Sequence, residues 1–401
     1  MSKLTRKIKK LVFVLGIRPD IIRAALVMRY LERAKDIKVI FVWSGQHYSD
    51  NLKGIFFREF KLRHADYELG CKGYTDAEIT GELIKKLYVL LEKIKPEAVA
   101  FLGDTNTTAG CIAPAMLNIP IIHIEGCWRS YDWRMPEEKY RTTIDHLSDV
   151  IYTYEQEYKD RGIAEGLNPK NIVVTRNPIV DVLNEFYFKK KREIEKMATT
   201  AFFKKRGVED KKYYLMTCHR RENVHIDKSF DTILKFVSKA SYPVYFPASY
   251  RTQRVIKERK ISLPSNLIVV DPIGYEELLI LMTHSKGIFT DSGTVIEEAS
   301  VLNIPAVQIR KSTERPQVYD VKGAVKLDPD QPEKYTPEIV YRKFKKIAGA
   351  KWQHTLGDGR ASERIANDII KRLRTENIRG HFPENSHLPV ARSFMEDGIK
   401  I

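Results

Sequence analysis

Cysteine is scarce in this chain: Cys71, Cys111, Cys127 and Cys218 are the four in 401 residues, scattered without the spacing of a metal site or a redox pair. That excludes a disulfide framework as the organising device and makes a reduced, cytoplasmic compartment the expectation. Apolar runs long enough to span a bilayer are missing, so no membrane partner is expected. The basic opening MSKLTRKIKK is followed by LVFVLGI, but Arg18 ends the apolar part and no small-residue cleavage pattern appears. It reads as a basic tail and a first strand, not as a signal peptide. Acids are in deficit, 52 against 68 Lys and Arg, for a formal charge of +16. Such an excess suits phosphate backbones, yet runs such as Lys189 to Arg192 and Lys343, Lys345 and Lys346 are interleaved with acids in helical segments. No nucleic-acid recognition motif accompanies them. Solvated surface explains them better, with a small polyphosphate ligand as the next reading.

What is present is alternation. With 43% hydrophobic residues, the chain is long enough for two domains. Short apolar runs at residues 11–16, 37–42, 98–102, 119–124, 150–154 and 172–175 alternate with helix-period segments, which is the pattern of a doubly wound parallel sheet. Leu83, Ile84, Leu87, Leu90, Leu91 and Ile94 have helical spacing and belong to a core. From Asn184 to Lys212 no strand pattern appears, and a domain crossing is expected near its start. A second series follows at residues 213–218, 243–246, 266–270 and 287–290, with a helix at 275–282 between the last two.

Buried parallel strands deliver polar groups at their carboxyl ends, where ligands of such folds bind. The first series puts Asp104 after one strand and Glu125 after another, and Pro136 opens a helix with Glu137 and Glu138 in its first turn. Three carboxylates thus meet at one sheet edge, and acids so crowded can divide acid and base duties. The turn Gly16-Ile17-Arg18-Pro19-Asp20 is a candidate anion site. His47, in Ser44-Gly45-Gln46-His47, reads equally well as a capping or solvent residue and as a ligand. The second series ends one strand in His219-Arg220-Arg221-Glu222-Asn223 and another in Asp291-Ser292-Gly293-Thr294 with Glu297 and Glu298 following. Hydroxyl and backbone donors at that helix start suit phosphates, and a Glu one turn on suits ribose hydroxyls. Without the glutamates, an ordinary N-cap at Ser292 would be an even alternative.

In order along the chain, GIRPDIIRAA, SGQHYSDNL, LGDTNTT, HIEGCWRS, RMPEEKYR, DHLSD, HRREN, DSGTVIEEAS, TERPQ and GDGRASERI resemble the UDP-N-acetylglucosamine 2-epimerase family, non-hydrolysing type, from about Leu11 to Ile370. The resemblance implies an α/β fold of glycosyltransferase-B type, with two Rossmann-like domains facing across a cleft. Residues 1–183 would form the first domain, 184–356 the UDP-binding second, and 357–401 would pack back on the first through a C-terminal helix. It implies epimerisation at C2 of a UDP-N-acetylamino sugar by eliminating and re-adding UDP, without a cofactor or metal, in a cytoplasmic homodimer serving polysaccharide biosynthesis. Residue by residue it places acid/base roles on Asp104, Glu125 and Glu137, and an active-site histidine at His219. UDP-sugar contacts fall on Arg18, Arg23, Gln46, His47, Arg141, Arg220, Arg251, Ser292, Gly293, Thr294, Glu298 and Arg310. The chain also departs from the family pattern. Arg23 replaces a common lysine, Thr294 the second glycine of Ser-Gly-Gly, Ser249 a histidine, and Gly126-Cys127-Trp128 an Ala-Gly-Leu. A UDP-sugar product that has exchanged its C2 hydrogen with solvent is expected. The alternatives are a hydrolysing epimerase releasing free sugar and UDP, a UDP-sugar glycosyltransferase of the same fold, and a silent nucleotide-sugar-binding protein.

Overall fold

The computed structural model describes residues 8–45, 55, 57–73 and 75–380, and for Arg18 its backbone alone. In the first half, β1 (Lys9–Leu15), β2 (Ile37–Trp43), β3 (Tyr67–Glu68), β4 (Ala98–Leu102), β5 (Ile121–Ile124), β6 (Val150–Thr153) and β7 (Ile172–Val174) form one sheet in the order β3-β2-β1-β4-β5-β6-β7. All neighbouring pairs are parallel. Leu11 to Leu15 and Ala98 to Leu102 are buried on both faces, as strands covered by helices on each side must be. In the second half, β8 (Tyr214–Thr217), β9 (Val244–Pro247), β10 (Leu267–Val270), β11 (Ile288–Thr290), β12 (Ala306–Ile309) and β13 (Ala324–Leu327) form a second parallel sheet, in the order β10-β9-β8-β11-β12-β13. The fold is therefore the expected α/β pair of Rossmann-like sheets.

Both sheets reverse strand order once, between β1 and β4 and between β8 and β11. A crevice opens at such a switch point, because helices from the two sides leave it uncovered. Gly16 and Asp104 follow the strands at the first switch point, and Cys218-His219 and Asp291 those at the second.

The helices that matter for the site are α1 (Arg18–Leu31), α2 (Asp76–Ile94), α3 (Pro136–Leu147), α4 (Gly293–Val301) and α5 (Ala361–Thr375). Thr75 caps α2 by accepting from the Glu78 N–H at 3.2 Å, while Glu78 accepts from the Thr75 N–H at 3.0 Å. Along α2, Leu83, Leu87, Leu91 and Ile94 are buried and Ile84 and Leu90 partly so. The C-terminal helix α5 returns to the first sheet's layer. Asp181 receives the backbone N–H groups of Ala361 and Ser362 at its start, and Asp368 accepts from the Tyr152 hydroxyl at 2.8 Å.

Two differences from the sequence reading have plain causes. The strand expected at 119–124 starts at Ile121, because the Ile119 N–H turns back to the Pro114 carbonyl at 2.9 Å and Pro120 has no N–H to offer. The strands β3, β12 and β13 went unread. Tyr67 and Glu68 are exposed, and Gln308 interrupts β12 although it is buried, its side chain bonding Tyr319 at 2.6 Å and Thr313 at 3.3 Å.

Candidate active site

The site assembles from the first switch point outwards. Asp20, in the first turn of α1, accepts the N–H groups of Gly16 (3.4 Å) and Ile17 (3.2 Å), fixing the turn that carries Arg18. One turn on, buried Arg23 forms an ion pair with Glu125 and donates from Nη2 to Thr294 Oγ1 of α4 at 2.8 Å. Glu125 stands just past β5 with φ +80°, a backbone region unusual for a residue with a side chain. The Tyr154 hydroxyl donates to it at 3.2 Å, and Arg315 reaches it at 3.4 Å from the second domain. Two residues that depart from the family pattern, Arg23 and Thr294, are thus bonded partners.

Asp104, at the tip of β4, is paired with Arg141 of α3, and Arg141 in turn meets Glu138 at 3.2 Å. Burial works against the Asp104 charge, but Arg141 with Arg220 and Arg315 holds its carboxyl below the ordinary range. Glu137, on the same helix, goes the other way. Burial raises it, and Asp104 adds to the rise while Arg220 opposes it. Opposite displacement of two neighbouring carboxyls divides a base from an acid. Glu138 is occupied elsewhere, accepting from the Ser130 and Tyr131 N–H groups at 3.1 and 2.8 Å.

At the second switch point Asp291 is fully buried and accepts the N–H groups of His219 and Arg220, both at 2.9 Å. The His219 ring lies against the same carboxylate, Nδ1 at 3.3 Å, with about half of its side chain exposed towards the cleft. Arg220 donates from Nε to the Asp291 carbonyl at 3.0 Å. Arg310 grips Glu314 through both terminal nitrogens, at 3.1 and 2.9 Å. Ser292 caps α4, its hydroxyl accepting from the Val295 N–H at 3.4 Å. Glu298 accepts from the Tyr275 hydroxyl at 2.8 Å.

Direct contacts link Arg23 with Glu125 and Thr294, Asp104 with Arg141, and, through Asp291 and Glu314, His219, Arg220 and Arg310, while Glu137 lies within electrostatic reach of Asp104 and Arg220. Arg251 stands apart, exposed at the start of the helix Tyr250–Glu258 and within electrostatic reach of Arg221, Asp76 and Glu137. Gln46 and His47 lie outside the described residues. Sequence reasoning missed Arg315 as a site residue. It meets Glu297 at 3.0 Å, Glu314 and Glu125, and lies 4.3 Å over the Trp128 ring. Gly293 lies beneath it, and an added Cβ there would overlap the guanidinium and make it shift. The signal was present in TERPQ, but without β12 there was no strand end to attach it to.

Burial has a measurable consequence. It raises Asp20 from 3.8 to about 7, against the pull of Arg23, and raises Glu298 from 4.5 to about 8, with Glu297 adding to the rise. The folded protein then holds two protons that the unfolded chain releases above the ordinary carboxyl range. This contribution to stability is fully present below about pH 4 and is lost as pH rises through about 7 and 8. The unliganded melting temperature is expected to fall between pH 5 and pH 8, and Asp20→Asn to flatten the fall in scanning calorimetry.

Residues 29–370 match the family model described as UDP-N-acetylglucosamine 2-epimerase. The chain belongs to that family. A UDP-N-acetylglucosamine 2-epimerase of Methanocaldococcus jannaschii is 34% identical over 366 residues, 89% of this chain and 97% of the relative. The crystal structure of the M. jannaschii UDP-GlcNAc 2-epimerase in complex with UDP-GlcNAc and UDP superposes with a TM-score of 0.81 at 30% identity, covering 90% of this chain and 99% of that one. A Pseudomonas aeruginosa UDP-2,3-diacetamido-2,3-dideoxy-D-glucuronate 2-epimerase is 28% identical over 375 residues, 90% of this chain and 99% of the relative. Like those of the family at large, these names describe isomerases of UDP-sugars. Among the described residues of this member no helix is long and apolar enough to cross a membrane.

Proposed function

We propose that this member interconverts UDP-N-acetylglucosamine and UDP-N-acetylmannosamine, or a related UDP-N-acetylamino sugar, at C2. The observation that carries the reading is the opposite displacement of Asp104 and Glu137 beside Glu125, facing the His219 edge of the second sheet. A carboxylate takes the C2 proton while the C1–oxygen bond breaks and UDP leaves with the bonding electrons. A second carboxyl returns a proton to the opposite face of the resulting glucal, and UDP adds back at C1. Arg23, Arg220 and Arg310, with the donors of Ser292, Gly293 and Thr294, are the proposed support for the departing diphosphate, and Glu298 for the ribose. Arg18 and Arg251 complete the set at the two helix starts, and Gln46 and His47 are carried over on the sequence alone.

The reading divides the chain into residues 1–183 with 357–401, and 184–356, a division supported by the two sheets and by α5 lying on the first. It further takes the enzyme as a homodimer supplying polysaccharide synthesis, the former tested by sedimentation. Two exposed ion pairs join the halves, Arg221 to Asp76 at 2.7 Å and Arg134 to Asp330 at 3.3 Å, and are the proposed means of keeping water from the glucal. This favours re-addition of UDP over hydrolysis.

Incubation with a panel of UDP-sugars in deuterated water tests the reading. Proton NMR should show an epimeric UDP-sugar carrying deuterium at C2, with little free UDP by phosphorus NMR. Stoichiometric UDP and reducing sugar would make the enzyme a hydrolysing one, and transfer without C2 exchange would make it a glycosyltransferase. UDP alone should bind and raise the melting temperature. Because a hydrogen bond from an uncharged group contributes about 0.5–1.5 kcal/mol, Glu298→Ala should weaken UDP by roughly twofold to tenfold in calorimetry. Unchanged affinity would remove Glu298 from the ribose site.

A further inference from the structure

Behind the candidate acids lies a second charged cluster that the acid and base roles leave unused. His123, on β5, is fully buried, and its two ring nitrogens face two oxygens. Nε2 lies 2.8 Å from the Gly103 carbonyl and Nδ1 2.7 Å from Asp145 Oδ1. A carbonyl oxygen has no proton to give, so Nε2 is the donor there. Asp145 accepts at Oδ2 from Arg129 Nη1 (2.7 Å) and from the Cys127 N–H (2.9 Å). Burial opposes its charge, yet His123 and Arg129 hold its carboxyl below the ordinary range. The ring therefore ties the Gly103 carbonyl to the Asp145 carboxyl. Arg129 continues to Glu165 at 3.0 and 2.6 Å.

We infer that His123 and Asp145 form a positioning pair that sets the geometry of Asp104 and Glu125. The placement carries this. Gly103, whose carbonyl the ring holds, directly precedes Asp104. His123 and Cys127 lie two residues either side of Glu125. Asp145 follows Glu137 and Arg141 at intervals of four along α3, so all three share one helix face. One cluster therefore joins the three segments that carry the candidate acids. The backbone it joins is unusual, with φ +80° at Glu125 and +62° at Cys127. Non-glycine residues hold such conformations only where their surroundings over-determine them. Gly126 between them leaves no room for a Cβ, which would overlap Asp145 and Ile151. The loop is pressed onto the carboxylate that it bonds.

The inference rests on the proposed epimerase reading for its kinetic part but not for its spectroscopic part. In the full-length protein labelled with nitrogen-15 at its ten histidines, one buried ring should show a slowly exchanging N–H hydrogen. That signal should vanish in His123→Gln. A His123 ring hydrogen that exchanges freely overturns the inference whatever the enzyme's activity. His123→Gln and Asp145→Asn should lower kcat for C2 exchange about a hundredfold, as displaced catalytic groups do, while KM and UDP affinity stay within about threefold. Normal kcat, or a loss confined to KM, overturns the positioning role. Should these two fail to fold, Arg129→Lys decides. It keeps the cation but loosens its fork, and should cost kcat about tenfold with the slow His123 hydrogen retained; an unchanged kcat there also overturns the role. An inactive wild type with the slow His123 hydrogen present would sink the epimerase reading, and the kinetic role of the pair with it, but not the buried cluster.

Discussion

Glu125→Gln is expected to lower turnover by roughly 10²–10⁴-fold, the range for loss of a positioned acid or base, with UDP affinity little changed. The amide keeps the shape of the carboxyl, and its one oxygen can still accept from the Tyr154 hydroxyl and Arg23, which share Oε2, while its NH2 group faces Arg315. What it loses is the ability to take and return a proton. Exchange of the C2 hydrogen with deuterated water reads that step directly, separately from release of UDP. Asp104→Asn should behave similarly, because the carboxyl that Arg141 holds charged is the group ready to accept a proton. The two should differ in stability. Glu125 lies between arginines of both domains, whereas Asp104 is paired with one arginine of its own domain and is partly exposed. If Glu125→Gln keeps more than about a tenth of the turnover, Glu125 is an electrostatic brace between the domains and Asp104 with Glu137 must carry the chemistry.

The reason Asp104, Glu125 and Asp291 can be found in the sequence at all is topological. Apolar runs mark buried parallel strands, the residue after such a run lies at the sheet's carboxyl edge, and the edge at a switch point is where a crevice forms. Glu137 was legible because Pro136 marks the first turn of its helix. Arg23 was not legible by this route. It sits inside α1, and its partner Thr294 is 271 residues away, so only the family resemblance named it. Arg310, again named only by the resemblance, and Arg315, not named as a site residue at all, escaped the strand reading for a different reason. They hang on the end of β12, whose four residues include a buried glutamine satisfied by side-chain bonds, and period-2 reading fails there. Ser292 shows that two readings can hold together. It does cap α4, and a capped helix start still offers free N–H groups to a phosphate.

Arg315→Ala is expected to have the largest effect on stability. The guanidinium lies among three buried carboxylates, Glu297 at 3.0 Å, Glu314, and Glu125 at 3.4 Å, and those charges hold its own charge firmly despite burial. Removing one partner of a buried ion pair leaves uncompensated charge and typically costs about 3–5 kcal/mol. Glu314 keeps Arg310 and Glu125 keeps Arg23, but among the described residues Glu297 keeps only the Asn177 amide at 2.9 Å. Glu297 is therefore where the cost concentrates, and Glu297→Gln added to Arg315→Ala should restore part of the loss in a double-mutant cycle. The sign with pH follows from the same charges. Unpaired buried carboxylates are relieved by protonation, so the deficit of Arg315→Ala against the wild type should shrink from pH 8 to pH 5. A melting temperature lowered on the order of 10 °C at pH 8 is expected. A shift within one or two degrees, unchanged by pH, would mean that water reaches these carboxylates once the arginine is gone. In that case the Arg315 cluster orders the cleft without holding the two domains together.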